Sequence, residues 1–379
     1  MNPIRVAVVD DSTFIRKALT RMLGEEDGIE VVGSASSGEE LLANIDHWQP
    51  DVVTLDLNMP GIGGLATLDQ LMIHRPTPVI ILSTHSGEGA PMTIEALHRG
   101  AIDFIDKQRY SLVDFEALRR VLLASILQVT ESSLQRGETL PEPPSQNVAE
   151  TRRRRPVRGP AAESAAQDEP SPKPRRKRTE PALIPGIYDL VVLGASTGGP
   201  PTIERILQGL GPSLSVPVVV VQHMPVGFTQ AFAERLNAYL PLEVREAIDS
   251  EPLFPDTVYI APAGTHLRIR RHGAELTTSL AEQPQDVSHV PSIDILFYSA
   301  AQATGRRTIG VLLTGMGKDG AQGLKAIKKS GGYSIAQDEG SSIVFGMPRA
   351  AIEIAAVHEV GNPEAISQRL KNLVSLQRG

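Results

Sequence analysis

Short apolar runs rich in Val and Ile alternate with stretches of helical spacing over the first 130 or so residues. Runs at 4–10, 30–35, 51–56, 78–83 and 103–105 predict strands, being continuous in apolar character and too short for helices. Between them, 13–23, 39–45, 65–72 and 92–99 place apolar residues three and four apart, and 115–128 closes the unit the same way. Five βα repeats predict a doubly wound parallel sheet of flavodoxin-like order. From 134 to 186 the periodicity disappears into Pro, Glu, Ser, Ala and Arg. That composition cannot supply a core and predicts a flexible linker. Order resumes with strands at 188–194, 216–222, near 242–247, 308–314 and 333–337, and helices at 202–210, 229–240, 293–303, 321–329, 348–354 and 363–376. The stretch 257–279 alternates like one hairpin turning at His272-Gly273. The expected organisation is an α/β unit at 1–133, a linker at 134–186, and a second α/β domain with a mostly parallel sheet and a β-hairpin at 187–379.

Composition narrows the chemistry. With no cysteine among 379 residues, disulfides, thiol catalysis and cysteine-bound metals are excluded. The N-terminus shows no signal-peptide pattern, and no apolar run approaches the length a membrane span needs, so a soluble cytoplasmic protein is expected. The net charge of −7 is uneven: between Glu150 and Glu180, ten Arg/Lys face five Asp/Glu, leaving about −12 on the rest. Nucleic-acid binding would have to rest on that one basic segment, so none is expected.

In a doubly wound sheet, ligands bind at the carboxyl ends of strands beside the switch point. Asp10 and Asp11 end the first predicted strand and Asp56 ends the third. Three converging carboxylates repel one another unless a cation intervenes, and hard oxygen ligands suit Mg²⁺. With Mg²⁺ bound, Asp56 is a nucleophile toward a phosphoryl donor. Ser83 at the fourth strand end and Lys107 after the fifth supply a hydroxyl and an ammonium to the same edge.

These segments resemble response-regulator receivers: Val8-Val9-Asp10-Asp11-Ser12, Asp56-Leu57-Asn58-Met59-Pro60, Leu82-Ser83 and Phe104-Ile105-Asp106-Lys107. The resemblance implies that Asp56 is the phosphoacceptor, with Asp10, Asp11 and the Asn58 carbonyl as further Mg²⁺ ligands. It also implies that Ser83 and Phe104 are the switch positions. The sequence departs from the family at Gln108, where receivers carry proline after the lysine. A non-proline cis bond costs about 2.5–4 kcal/mol, so the Lys107–Gln108 peptide is expected to be trans.

In the second domain, Gly194-Ala195-Ser196-Thr197-Gly198 matches the pattern that exposes a nucleophilic serine on a strand-to-helix turn. The helix start directs free N–H groups at a developing oxyanion, the Thr197 N–H being the expected donor. The same Gly-rich turn is compatible with holding a phosphate. His223 follows the strand ending at Gln222, and Asp319 lies just past the strand ending near Thr314. Three strand ends thus offer a nucleophile, a base and a carboxylate to orient the base. His266, His272, His289 and His358 compete for the base role, but from a hairpin, a loop or peripheral positions.

Gly194–Gly199, Gln222-His223-Met224-Pro225, Thr314–Gly320, Ala336-Gln337-Asp338-Glu339 and Phe345-Gly346-Met347-Pro348 resemble the catalytic domain of chemotaxis protein-glutamate methylesterases. That resemblance implies a Ser196–His223–Asp319 triad needing no cofactor, with the Met316 N–H joining Thr197 in the oxyanion hole. It implies hydrolysis of glutamate methyl esters and deamidation of glutamines on chemoreceptors, a sensor histidine kinase as phosphodonor, and a receiver that obstructs the site until phosphorylated. A general serine esterase of α/β-hydrolase type is disfavoured, since that fold orders its triad Ser…Asp/Glu…His. A response regulator with a nucleic-acid-binding output is the alternative of another class; the output half shows no helix-turn-helix pattern, and the acidic remainder of the chain outside the basic segment opposes it.

Overall fold

The computed structural model describes residues 3–83, 89–107, 115–136, 188–282 and 287–375. Within the first domain, β1 (Ile4–Val9), β2 (Ile29–Ala35), β3 (Val52–Asp56), β4 (Val79–Ser83) and β5 (Asp103–Asp106) form one parallel sheet in the order β2-β1-β3-β4-β5. The helices are α1 (Thr13–Gly24), α2 (Gly38–Trp48), α3 (Gly63–His74), α4 (Gly89–His98) and α5 (Phe115–Arg136). Helices on both faces leave β3 entirely buried, which is why its sequence VVTLD lacks alternation. Ser12 caps α1 by accepting from the Ile15 N–H at 3.4 Å, so the chain leaves β1 and enters a helix within three residues, with Asp10 and Asp11 held between.

The second domain is built on a seven-stranded, wholly parallel sheet. Its strands are β6 (Leu190–Ala195), β7 (Val218–Gln222), β8 (Glu243–Glu246), β9 (Thr257–Ile260), β12 (Thr308–Leu312), β13 (Tyr333–Gln337) and β14 (Glu359–Gly361). The order is β14-β13-β12-β6-β7-β9-β8, so the connections reverse direction between β6 and β12. Helices α6 (Gly199–Leu210), α7 (Phe228–Tyr239), α8 (Ile293–Thr304), α9 (Ala321–Lys329), α10 (Met347–Glu353) and α11 (Pro363–Ser375) flank it.

Three expectations change, and one unpredicted strand appears. The stretch 257–279 is not one hairpin: β9 joins the main sheet beside β7, and only β10 (His266–His272) and β11 (Glu275–Ala281) pair antiparallel around Gly273. All four residues of β9 are buried, the signature of a central parallel strand. Helix α6 starts at Gly199, three residues early, because Pro200 and Pro201 suit the first helical turn. Strand β14, only three residues long, carries too little pattern to predict. Helix α5 continues to Arg136, into the first residues of the expected linker. The rest of that linker, its basic runs and the Lys107–Gln108 peptide lie outside the described residues.

The two domains meet along α4 and β5. Phe104 packs on Phe228 with ring centroids 4.6 Å apart. His98 Nδ1 lies 2.9 Å from Glu204 Oε2 and its ring stacks on Tyr239. Arg235 pairs with Glu95. Ile343 and Val344 are continuous with receiver-side core residues Ile102, Ile105 and Leu122. Among the described residues, no helix is long and apolar enough to cross a membrane.

Candidate active site and phosphoacceptor site

At the switch point of the first sheet, carboxylate oxygens of Asp10, Asp11 and Asp56 lie within 4.8 Å of one another. Asp10 and Asp56 are buried and Asp11 is exposed. Lys107 Nζ reaches Asp56 Oδ2 at 2.8 Å and Asp10 Oδ2 at 3.0 Å. The Ser12 N–H donates to Asp10 Oδ1 at 2.9 Å. Burial nonetheless keeps the Asp10 carboxyl above its ordinary range, outweighing Lys107. Burial also works against the Lys107 ammonium, yet the two carboxylates raise its pKa overall. The Asn58 N–H donates to Asp56 Oδ1 at 3.3 Å, which brings the Asn58 backbone to the same edge. A compact, all-oxygen, doubly buried donor set with one open side fits a six-coordinate Mg²⁺ that keeps waters. Ser83 ends β4 opposite Asp106 in register; its side chain is outside the described residues. Phe104 turns away from this site toward Phe228.

In the second sheet the serine turn is set by backbone contacts. The Ser196 N–H donates to Thr314 O at 3.0 Å, Gly199 N–H to Ser196 O at 2.8 Å, and Gln222 Nε2 to Ser196 O at 2.9 Å. Gly198 adopts φ +72°, and a Cβ there would stand 2.4 Å from Ile343 Cβ, so the turn admits only glycine. Gly315 is equally constrained: its Cβ would meet Ser196 Cβ at 2.6 Å. Ser196 is thereby pressed between the ends of β6 and β12, at the switch point.

His223 follows β7, its N–H donating to Ala195 O at 3.1 Å. Its Nε2 lies 2.9 Å from Asp319 Oδ2, and its Nδ1 is buried without a hydrogen-bond partner. The usual triad joins Nδ1 to the acid; here the contact with the acid is made through Nε2. Asp319 sits at the N-terminus of α8. Its Oδ1 accepts from the Ser292 hydroxyl and the Asp294 and Gly320 N–H groups, each at 3.0 Å, and Oδ2 accepts from the Ile293 N–H at 2.8 Å. Burial alone would raise this carboxyl, but the His223 contact and the helix N–H donors overcome it and hold the pKa at about 2. Neighbouring Asp294 shows the opposite outcome, pushed up to about 6 by burial and then by the Asp319 charge.

The structure brings Ser196, His223 and Asp319 to one sheet edge, as the strand ends imply. Of the competing histidines, His266 is buried and accepts from the Ser292 N–H, and His358 pairs with Ser334. Met316 is partly buried and packs against the receiver-side core. Three features escape sequence reasoning. Ser292 and the start of α8 grip the acid. The His289 ring stacks on His223 at 4.1 Å between centroids and 14° between planes. The hydroxyl of Thr197, beside the serine, donates to receiver Asp103 Oδ2 at 2.9 Å. Ser292 ahead of an apolar helical run, with Asp294 in the first turn, signals a helix start, whereas the other two contacts join residues 66 and 94 positions apart and leave no local trace.

Comparison with known proteins agrees with this two-part arrangement. The CheB methylesterase family profile matches residues 191–370, and the response regulator receiver domain profile matches residues 6–117. A protein-glutamate methylesterase/protein-glutamine glutaminase of Oleidesulfovibrio alaskensis is 38% identical over 379 residues, covering 98% of this chain and 99% of that one. One of Bordetella avium is 41% identical over 371 residues, covering 98% and 97%. Among solved structures, the Thermotoga maritima CheB methylesterase catalytic domain is 39% identical, with a TM-score of 0.48 over 49% of this chain and 99% of that one. The response regulator domain of Thermotoga maritima CheB is 38% identical, with a TM-score of 0.32 over 34% of this chain and 98% of that one. With near-complete coverage of both partners at this identity, the chain belongs to the protein-glutamate methylesterase/protein-glutamine glutaminase family, a receiver domain followed by a CheB methylesterase domain.

Proposed function

We propose that this protein hydrolyses glutamate methyl esters, and deamidates glutamines, on cytoplasmic segments of chemoreceptors, under control of phosphorylation at Asp56. The observation that carries the reading is the His223–Asp319 pair standing at the same sheet edge as the Ser196 turn, with His223 Nδ1 buried and unpartnered. In the ester reaction, His223 Nδ1 takes the Ser196 hydroxyl proton as Oγ attacks the ester carbonyl carbon. The oxyanion is met by the Thr197 and Met316 N–H groups. The proton then passes from His223 to the departing methoxide, releasing methanol and leaving the glutamyl side chain on Oγ. Water, deprotonated by the same nitrogen, attacks that acyl carbon; the C–Oγ bond breaks and Ser196 recovers its proton. A glutamine follows the same course with ammonia as leaving group. Asp319, ionised across the working pH range, holds the imidazole and stabilises the imidazolium.

In the receiver, an Asp56 oxygen attacks the phosphorus of a phosphohistidine on a sensor kinase, and the P–N bond breaks. Asp10, Asp11, Asp56 and the Asn58 carbonyl would hold Mg²⁺, which would supply charge that offsets the phosphoryl oxygens. Lys107, now bridging Asp10 and Asp56, pairs with the new phosphoryl group. Ser83 takes another of its oxygens, and Phe104 relays the change to Phe228. Docked, the receiver engages Thr197 and restrains the esterase; phosphorylation loosens that contact.

Initial rates of methanol release from methylated receptor membranes, with and without acetyl phosphate and Mg²⁺, test the reading. Ser196→Ala should lower kcat about a millionfold with folding intact. Retention of more than a few per cent of turnover would remove Ser196 as nucleophile.

A further inference from the structure

The base of the triad is held from two sides, and only one of them is the acid. Asp319 fixes His223 through a single hydrogen bond at Nε2. One such bond leaves the imidazole free to rock about the Nε2···Oδ2 line, which swings Nδ1 out of line with the serine. His289 lies flat against the His223 ring, at 4.1 Å and 14°, and that face-to-face contact blocks the rocking motion. His289 is exposed, so its ring contributes little to the core; the ring it covers is the base.

The segment carrying His289 is itself anchored. Val290 O accepts from the Gly264 N–H at 3.4 Å, and the Ser292 N–H donates to His266 Nδ1 at 3.2 Å. Three residues beyond His289, Ser292 caps α8, and its hydroxyl and the first N–H groups of the helix hold Asp319. Residues 289–294 therefore contact both the base and the acid, and fix them relative to each other. When His223 becomes an imidazolium in the transition state, a stacked aromatic face beside it also stabilises the cation.

We infer that His289 is a positioning residue for His223, acting through the face of its ring and not through its own proton transfer; the inference rests on the proposed serine-esterase reading. Its test uses the full-length protein. His289→Ala should lower kcat for methanol release about tenfold, within the range that aromatic stacking supplies, leave KM within about twofold, and leave the thermal midpoint unchanged. His289→Phe, which keeps a flat face and has no ionisable group, should retain at least half of wild-type kcat. With ¹³C-labelled histidine, the His223 ring signal should shift in the Ala variant and stay near its wild-type position in the Phe variant. Unchanged kcat in His289→Ala would overturn the inference, as would an effect confined to KM. A Phe variant as impaired as the Ala variant would overturn it too, by pointing to the imidazole's proton. Ser196→Ala and His223→Ala run alongside separate the two levels. If both are inactive while His289→Ala is normal, only the positioning role fails; if either is active, the esterase reading fails and the inference with it.

Discussion

Asp10 and Asp319 stand at corresponding places in two parallel sheets, each beyond a strand that borders the switch point, yet they titrate in opposite directions. Burial wins at Asp10, whose carboxyl is raised despite the Lys107 ammonium 3.0 Å away. At Asp319 burial loses, and the carboxyl is held at about 2. Both are largely buried, so burial alone does not explain the contrast. Asp319 receives a hydroxyl, three backbone N–H groups and an imidazole, whereas Asp10 accepts from one N–H and shares one ammonium with Asp56. A fully satisfied carboxylate is a fixed negative charge, suited to orienting a base. An under-satisfied one in a cluster remains short of positive charge, as a site for a cation and a phosphoryl group requires. The same residue type serves two chemistries because one helix N-terminus points at it in the second domain.

The contrast is broken most severely at Asp319. Asp319→Asn presents an amide that favours the wrong imidazole tautomer, and kcat should fall about 10⁴-fold; near-normal methanol release would show that another acid orients His223. The depressed pKa also sets an acid limit. A carboxyl lowered from 3.8 to about 2 contributes stability that is fully present above pH 3.8 and is lost as pH falls through 2. Hydrogen exchange at the start of α8 should therefore stay slow at pH 4 and accelerate below pH 3.

The receiver cluster gives the next largest effect. Mg²⁺ should raise the thermal midpoint of the wild-type receiver transition, and Asp56→Asn should diminish that rise and abolish acceleration of methanol release by acetyl phosphate. A full response to phosphodonor in Asp56→Asn would move the phosphoacceptor elsewhere.

A smaller effect is expected at the seam between the regions. Burial pushes the Asp103 carboxyl up to about 6 where it accepts from Thr197. A pKa higher in the docked than in the free state favours docking fully below pH 3.8, and that advantage is lost as pH rises through 6. Docking should weaken between pH 5 and 7.5, read by small-angle scattering as an increasing radius of gyration. Asp103→Asn keeps a hydrogen-bonding partner for Thr197 without the charge, so it should flatten this dependence and lower basal methanol release several-fold at pH 7.5. Higher basal activity than wild type in that variant would contradict the assignment. The smallest change expected is Ser292→Ala, which removes one of five donors to Asp319 and should reduce kcat only a few-fold.

Much of this molecule is legible in its sequence, for identifiable reasons. Parallel strands buried on both faces print as unbroken Val/Ile runs, so the two sheets and the residues at their carboxyl ends follow directly. Ser196 is further marked by the flanking Gly194 and Gly198, which Ile293 and Ile343 leave no room to replace. What sequence reading misses depends on pairing across distance. The assignment of 257–279 to one hairpin fails because alternation cannot say that β9 hydrogen-bonds to β7 instead of β10. His289 looks like a loop histidine because nothing within a helical turn of it reports the ring of His223. Asp103 reads only as the first residue of a predicted strand, and its partner Thr197 lies in the other domain.

Strand β5 is only four residues long, yet its residues and the one that follows reach both chemistries. Asp103 holds Thr197, Phe104 lies on Phe228, and Lys107 bridges Asp10 and Asp56. The span from 103 to 107 is about 13 Å of extended chain, and extended chain inside a sheet is stiff along its length. One short rod thus carries contacts to the second domain at one end and to the carboxylate cluster at the other. For engineering, a foreign receiver would have to present Asp103 and Phe104 on its fifth strand together with Glu95 and His98 on the preceding helix to meet this esterase domain in the same way.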